Sequence, residues 1–145
     1  MTRICKQENV AYSANEMYSL VNDIVAYPEF LPWCTATNII EKNDDSLTAS
    51  ISISIGKIKQ TFTTANTMQA DSAINMRLIE GPFKELTGHW MFRDDAEGGC
   101  TVSLDMQFEF KSKIIKHTLG TAFHKIVDSL VDAFVERARN VYGDR

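Results

Sequence analysis

The chain has 145 residues, of which 44% are hydrophobic and 23% are charged, and its formal net charge at pH 7 is −4. This length and composition are typical of one soluble globular domain with a full hydrophobic core. The acidic balance argues against DNA binding, no apolar run approaches the roughly 20 residues that span a bilayer, and the N-terminal residues predict no signal or transit peptide.

The first predicted elements are a short strand and a helix. Ile4 to Val10 suit a strand, and Ser13 with Glu16 forms an S-x-x-E capping box, which predicts the start of a helix. Apolar residues then recur at helical spacing until Pro28 interrupts the pattern. They are Ala14, Met17, Tyr18, Val21 and either Ile24 or Val25.

The segment from Tyr27 to Cys34 combines two prolines with several large apolar residues. Because proline fixes φ and cannot continue a helix interior, this segment predicts a stiff turn rather than a regular element. Apolar side chains on such a turn must either fill a core or line the mouth of a cavity. The candidate ligand-binding residues here are Tyr27, Phe30, Leu31, Pro32 and Trp33.

From Thr35 to Phe110 the hydrophobic pattern has a period of two residues. It predicts a consecutive antiparallel meander with one apolar face, in which Val102, Leu104 and Met106 belong to the clearest strand. Polar turn residues separate the predicted strands. These turns are Asn43 to Asp45, Gln69 to Ser72, and Asp94 to Gly99, with Gly56 as a further break.

After Lys111 the period returns to 3.6, which predicts one helix from about Ser112 to Tyr142, ended by Gly143. A sheet with one apolar face needs a cover, and this helix is the only large apolar surface left. The predicted fold class is therefore α+β, with a curved antiparallel sheet wrapped around a long C-terminal helix.

The large side chains on the inner faces of the predicted sheet and helix either fill a core or line an apolar cavity. The pattern alone leaves both alternatives open, although the methionines among them suit an irregular space. These candidate ligand-binding residues are Phe62, Met76, Leu78, Phe83, Trp90, Phe92, Met106, Phe108, Phe123, Val127, Leu130 and Phe134.

No catalytic motif or metal-ligand cluster appears in the sequence, so we expect neither catalytic residues nor a metal. Positive charge concentrates around the start of the last helix, in Lys111, Lys113, Lys116 and Lys125. A charge run is usually a solvated face. A basic patch on an acidic protein would also suit contact with RNA or with an anionic membrane surface.

Several motifs occur in order from Ile4 to Tyr142. They are Val21-Asn22-Asp23, Tyr27-Pro28-x-Phe30-Leu31-Pro32-Trp33-Cys34, Phe62-Thr63-Thr64, Glu80-Gly81-Pro82-Phe83-Lys84 with Leu86, Gly88, Trp90 and Phe92, Phe108-Glu109-Phe110, and Asp132-Ala133-Phe134-x-x-Arg137-Ala138-x-x-Val141-Tyr142. Together they resemble the signature of the coenzyme Q-binding START-domain family, also called oligoketide cyclase/lipid transport-like proteins, which includes the bacterial ribosome association toxin RatA. One departure is Ala65, where relatives often carry Arg.

The resemblance implies a single START-like domain over residues 1–145, with the helix-grip (Bet v 1-like) fold and a hydrophobic tunnel between sheet and helix. It implies ubiquinone or a related isoprenoid lipid as the bound ligand, with a role in respiration and no other cofactor. One alternative is binding to the large ribosomal subunit that blocks subunit association, and a weaker one is a polyketide cyclase/dehydratase-like enzyme. We expect a bacterial cytoplasmic protein, with transient contact to the inner membrane.

Overall fold

The computed structural model describes the whole chain, Met1–Arg145. Its strands are β1 (Thr2–Val10), β2 (Cys34–Lys42), β3 (Ser46–Ile55), β4 (Ile58–Gln69), β5 (Ala73–Glu80), β6 (Phe83–Asp94) and β7 (Cys100–Phe110). Its helices are α1 (Ala14–Asn22), α2 (Tyr27–Phe30) and α3 (Lys113–Tyr142), with a 3-10 turn at Ile24–Ala26. No helix has the length and apolar character needed to cross a membrane.

The strands form one antiparallel sheet in the order β1-β7-β6-β5-β4-β3-β2. Strands β2 to β7 are therefore a consecutive meander, and β1 closes the sheet by pairing with β7. Along β7, residues from Cys100 to Phe108 alternate between buried and half-buried, as a strand with one covered face requires. The predicted α+β class and the meander are confirmed.

Both long helices begin at the residues that the sequence predicts. The Ser13 hydroxyl accepts a hydrogen bond from the Glu16 amide at 3.1 Å, and the Glu16 carboxylate accepts one from the Ser13 amide at 3.0 Å, which completes the capping box of α1. The Ser112 hydroxyl accepts a hydrogen bond from the Ile115 amide at 3.1 Å and caps the start of α3, and Gly143 is the capping residue that follows its last residue, Tyr142.

The proline-containing segment differs from its prediction. Residues Tyr27 to Phe30 form one turn of α-helix, so the expectation of an irregular turn is wrong for these four residues. Pro28 fits because it lies in the first helical turn, where a backbone N–H has no intrahelical partner to lose. The Leu31 amide then donates to the Tyr27 carbonyl at 2.9 Å, and the chain turns extended toward β2.

The apolar side of α3 covers the concave face of the sheet. The helix lies closest to β1, β7 and α1, while β3, β4 and β5 face it at a greater distance. Phe123 packs at the centre of this contact, with ring centroids 4.8 Å from Phe83 and 4.9 Å from Phe108. The core is therefore solid beside β7 and looser beside the middle strands.

The end of α3 is tied to the start of α1. The Arg145 guanidinium donates two hydrogen bonds to the Glu16 carboxylate, at 2.5 and 2.7 Å. The Tyr142 hydroxyl donates to the Glu16 carbonyl at 3.0 Å, and the Tyr12 hydroxyl donates to the Gly143 carbonyl at 2.6 Å. These bonds fix the helix that forms one wall of the interior space.

Candidate ligand-binding cavity

A cavity of ≈ 60 Å³ lies between α3 and the inner face of the sheet, and 15 of its 17 lining residues are hydrophobic. Its walls come from nearly every layer of the fold. The lining residues are Ile24, Tyr27, Trp33, Ile51, Ile53, Phe62, Thr64, Asn66, Met76, Leu86, Trp90, Met106, Phe123, Ile126, Val127, Leu130 and Phe134. The cavity is thus placed where a sheet that curves around a helix leaves the two surfaces apart.

Ten of the seventeen residues named from the sequence as candidate ligand-binding residues line this cavity. They are Tyr27, Trp33, Phe62, Met76, Trp90, Met106, Phe123, Val127, Leu130 and Phe134. They come together because alternate residues along the neighbouring strands β4 to β7 point to the inner face of the sheet, where the apolar stripe of α3 faces them. Their part in ligand binding stays a prediction.

The other seven candidates lie outside the lining. They are Phe30, Leu31, Pro32, Leu78, Phe83, Phe92 and Phe108. Phe83 and Phe108 pack around Phe123 in the solid part of the core, and Phe92 stacks on the Trp90 ring at 6.2 Å between centroids. Of the ten aromatic candidates, six therefore line the cavity and four pack in the protein outside its lining.

The proline-containing segment contributes less to the cavity than its composition suggests. The Phe30 ring packs edge-on against Phe134 at 5.4 Å, and the Arg137 guanidinium lies 4.8 Å from its centroid. Leu31 is buried in the core and Pro32 is exposed to solvent. Only Tyr27 and Trp33 of this segment border the cavity.

Seven lining residues were not among the candidates. They are Ile24, Ile51, Ile53, Thr64, Asn66, Leu86 and Ile126. The sequence did carry a signal for the two polar ones, since Thr64 and Asn66 share the face of β4 that Phe62 and Met68 occupy. Ala65 takes the opposite face, opposite Arg77 of β5, so the departure at Ala65 lies away from the cavity.

Two methionine side chains meet over Gly88 on one wall of the cavity. A Cβ atom at Gly88 would collide with Met76 Cε and would lie 3.4 Å from Met106 Cε. The missing side chain therefore creates the space into which the Met76 methyl group folds. Methionine side chains rearrange easily, so this wall is the deformable part of the cavity.

The lining contains no carboxylate, histidine, lysine or arginine. Its one ionisable group is Tyr27, whose hydroxyl donates to the Val21 carbonyl at 2.5 Å. Burial raises the pKa of Tyr27 well above its usual range, so the phenol stays neutral. The cavity is therefore uncharged at neutral pH.

The predicted basic residues lie on the surface and not in the cavity. Lys111, Lys113 and Lys116 line a groove with Lys84 where the end of β7 meets the start of α3, and Glu109 is the one acidic residue that lines it. We call the four lysines the basic groove. Lys125 borders the next surface depression, which shares Lys116. None of these five lysines forms an ion pair within the protein, so their charges face solvent.

The model of the polyketide cyclase/dehydrase and lipid transport family matches residues 10–135. The chain belongs to this family. The ribosome association toxin RatA of Vibrio cholerae is 40% identical over 144 residues, which cover 99% of this chain and 100% of that protein. The mitochondrial coenzyme Q-binding protein COQ10 of Drosophila melanogaster is 25% identical over 142 residues, which cover 95% of this chain and 59% of that protein.

Solved structures share the fold over nearly the full length. The ZhuI aromatase/cyclase from Streptomyces sp. R1128 has a TM-score of 0.86 at 14% identity and covers 99% of both chains. A START superfamily protein from Mycobacterium smegmatis has a TM-score of 0.81 at 19% identity, covering 96% of this chain and 98% of that one. The family and the START/Bet v 1-like fold predicted from the sequence are confirmed.

Proposed function

We propose that the chain binds an isoprenoid quinone, or a lipid of similar shape, in the cavity between the sheet and α3, and that it carries this ligand without altering it. The observation that carries the proposal is the nearly all-hydrophobic lining, in which 15 of 17 residues are apolar. A relative named for coenzyme Q binding, and a family named in part for lipid transport, support the same class of ligand.

The size of the cavity sets a condition on this proposal. Pockets for drug-sized ligands usually hold about 300–1,000 Å³, whereas this cavity measures ≈ 60 Å³. The ligand must therefore displace side chains, and Met76, Leu130 and Trp33 are only half-buried at the border of the cavity. Each methylene group removed from water contributes about 0.8 kcal/mol to binding. Burial of one five-carbon prenyl unit therefore contributes about 4 kcal/mol, which offsets the cost of displacing these side chains.

The chemistry of the lining supports carriage rather than catalysis. General acid–base catalysis needs a titratable side chain within hydrogen-bonding reach of the substrate. The only titratable group in the lining is the neutral Tyr27 phenol, which is already engaged by the Val21 carbonyl. A cyclase or dehydratase reaction in this cavity would lack its proton donor and acceptor.

A pair of matched variants on α3 tests the proposal. Leu130 lines the cavity, while Val135 is also half-buried on the same helix but lies outside the lining. We expect Leu130→Glu to abolish binding of a short-chain ubiquinone, measured by quenching of tryptophan fluorescence, because a carboxylate would border an apolar space. Val135→Glu should retain binding. Equal loss in both variants, or none in either, would contradict the proposed site.

A second candidate function is association with ribosomes through the basic groove. The observation that favours it is a set of exposed, unpaired lysines at the start of α3 on a protein whose net charge is −4. Unpaired lysines bind phosphate by releasing counterions, which makes such binding strongly dependent on salt. Relatives at about 40% identity are named ribosome association toxins.

Charge reversal distinguishes this second function. Lys113→Glu with Lys116→Glu should abolish co-sedimentation with large ribosomal subunits and leave quinone binding intact. The control reverses Lys57 and Lys59, two exposed lysines at the β3–β4 turn, and should change neither. Vesicles with anionic lipids, tested with the same variants, measure contact of the basic groove with a membrane surface. Unchanged co-sedimentation by the first variant would rule out this groove as the contact.

A further inference from the structure

The apolar cavity contains one pair of polar side chains. Thr64 and Asn66 are 3% and 5% exposed, and both line the cavity from the inner face of β4. The Thr64 hydroxyl donates a hydrogen bond to Asn66 Oδ1 at 3.0 Å. A buried polar pair in a lining of hydrophobic residues is costly unless its hydrogen bonds are completed.

The pairing leaves the Asn66 amide nitrogen without a partner. Thr64 occupies Oδ1 and thereby orients the amide, and Nδ2 donates to no acceptor in the protein. Asn66 Nδ2 retains some accessible surface, because the fully enclosed polar side-chain atoms that lack a partner are Asn22 Oδ1 and Arg137 Nε alone. Asn66 is only 5% exposed and lines the cavity, so its unpartnered amide group lies at the cavity wall.

We infer that Asn66 Nδ2 donates a hydrogen bond to an oxygen of the bound ligand, with Thr64 as the positioning residue, and that this contact selects an apolar molecule that carries a carbonyl group. The inference rests on the proposed function. A quinone meets the requirement, since its ring oxygens accept hydrogen bonds and the rest of the molecule is apolar. A pure hydrocarbon would leave the amide unpaired, which is how buried polar groups reject ligands that lack the matching atom.

Asn66 lies where it can contact the head group of a ligand that has entered the cavity. Its partner across the strand pair is Met76, and the partner of Met76 on β6 is Gly88. Asn66 is therefore in the same cross-strand row as Met76, one of the half-buried side chains that an entering ligand can displace. A head group that displaces Met76 enters the space beside the Asn66 amide, while the tail contacts the apolar wall that α3 provides.

The test compares two ligands with the same tail on three proteins. Decylubiquinone carries ring carbonyls, and decylbenzene does not. Their affinities are measured for the wild type, for Asn66→Leu and for Thr64→Val, with thermal unfolding to establish that each variant is folded. We expect Asn66→Leu to weaken the binding of decylubiquinone about two- to tenfold, which is the range for one neutral hydrogen bond, and to leave the binding of decylbenzene unchanged or tighter. Thr64→Val should weaken the binding of decylubiquinone by a smaller factor.

An infrared measurement separates direct contact from a structural role. A hydrogen bond to a quinone carbonyl lowers its C=O stretching frequency, so the bound quinone should show a lowered band in the wild type that moves back in Asn66→Leu. Parallel loss of both ligands in Asn66→Leu, or an unmoved band, would overturn the inference and leave the carrier function standing. Failure of the wild type to bind either ligand would overturn the carrier function, and the inference with it.

Discussion

Replacing Gly88 with alanine tests whether the ligand enters by displacing Met76. The new Cβ would collide with Met76 Cε, while Met106 Cε, at 3.4 Å, stays within ordinary contact. The Met76 methyl group must then leave the wall and occupy the cavity, whose volume is only ≈ 60 Å³. Gly88→Ala thus fills the site from within, without introducing charge.

The expected loss of affinity follows from the apolar contact that the ligand forfeits. If the displaced methyl and sulfur exclude two carbon-sized groups of the ligand, the loss is about 1.6 kcal/mol, or about fifteen-fold in Kd. Stability should change little, because an off-rotamer methionine costs about 0.5–1.5 kcal/mol and replacing glycine by alanine recovers about 0.4–1 kcal/mol.

The assay is titration with a short-chain ubiquinone, with thermal unfolding measured in parallel. The double variant Gly88→Ala with Met76→Ala is the control, because removing the Met76 side chain vacates the space again and should restore most of the affinity. Wild-type affinity in Gly88→Ala, or a loss that Met76→Ala does not restore, would refute the reasoning.

Two further predictions concern stability. Gly81→Ala should lower the melting temperature by several degrees. The new Cβ would lie 2.6 Å from Phe62 Cβ and 3.3 Å from Phe62 Cα, and neither of these atoms can move without moving the β4 backbone. An unchanged melting temperature would be inconsistent with this close approach. The Arg145 guanidinium lowers the pKa of Glu16, so Glu16 contributes stability above its unfolded pKa of about 4.3 that is lost as the pH falls through the folded value. Glu16→Gln should therefore destabilise the protein at pH 7 and flatten the acid side of its stability curve, measured by urea unfolding between about pH 3 and pH 7; parallel curves for both proteins would contradict this linkage.

The fold could be predicted from the sequence because its main signals are local. The alternation along β7 and the apolar stripe of α3 each specify one element and one buried face. Once a one-sided sheet and a single apolar helix are present, burial leaves few ways to combine them. The helix starts at Ser13 and Ser112 could also be predicted, because N-capping depends on residues within four positions of each other.

An irregular turn is predicted from the sequence where the short helix α2 lies, because Pro28 is treated as incompatible with regular structure. Proline is excluded from the interior of a helix but is favourable in its first turn, and a four-residue helix has little interior. Three of the candidate residues in this segment, Phe30, Leu31 and Pro32, lie outside the cavity lining. Phe30 instead packs between Phe134 and the Arg137 guanidinium, an arrangement that depends on where α3 lies.

The division of the inner side chains between core and cavity could not be read from the sequence. Phe83 and Phe62 both face inward, yet only Phe62 lines the cavity, because α3 approaches β7 more closely than it approaches the middle strands. That difference depends on the curvature of the sheet, which is a property of all seven strands together. Thr64 and Asn66 were within reach of prediction, since their register follows from Phe62 two residues earlier.

The central claim is that the cavity holds an isoprenoid lipid, and mass spectrometry of the bound lipids tests it most directly. The protein would be purified from its source organism under conditions that preserve complexes, and its organic extract compared with that of Leu130→Glu prepared in the same way. The account predicts an isoprenoid quinone in the wild-type extract, well above the amount recovered with Leu130→Glu. Equal amounts in both extracts, or no lipid in either, would contradict it.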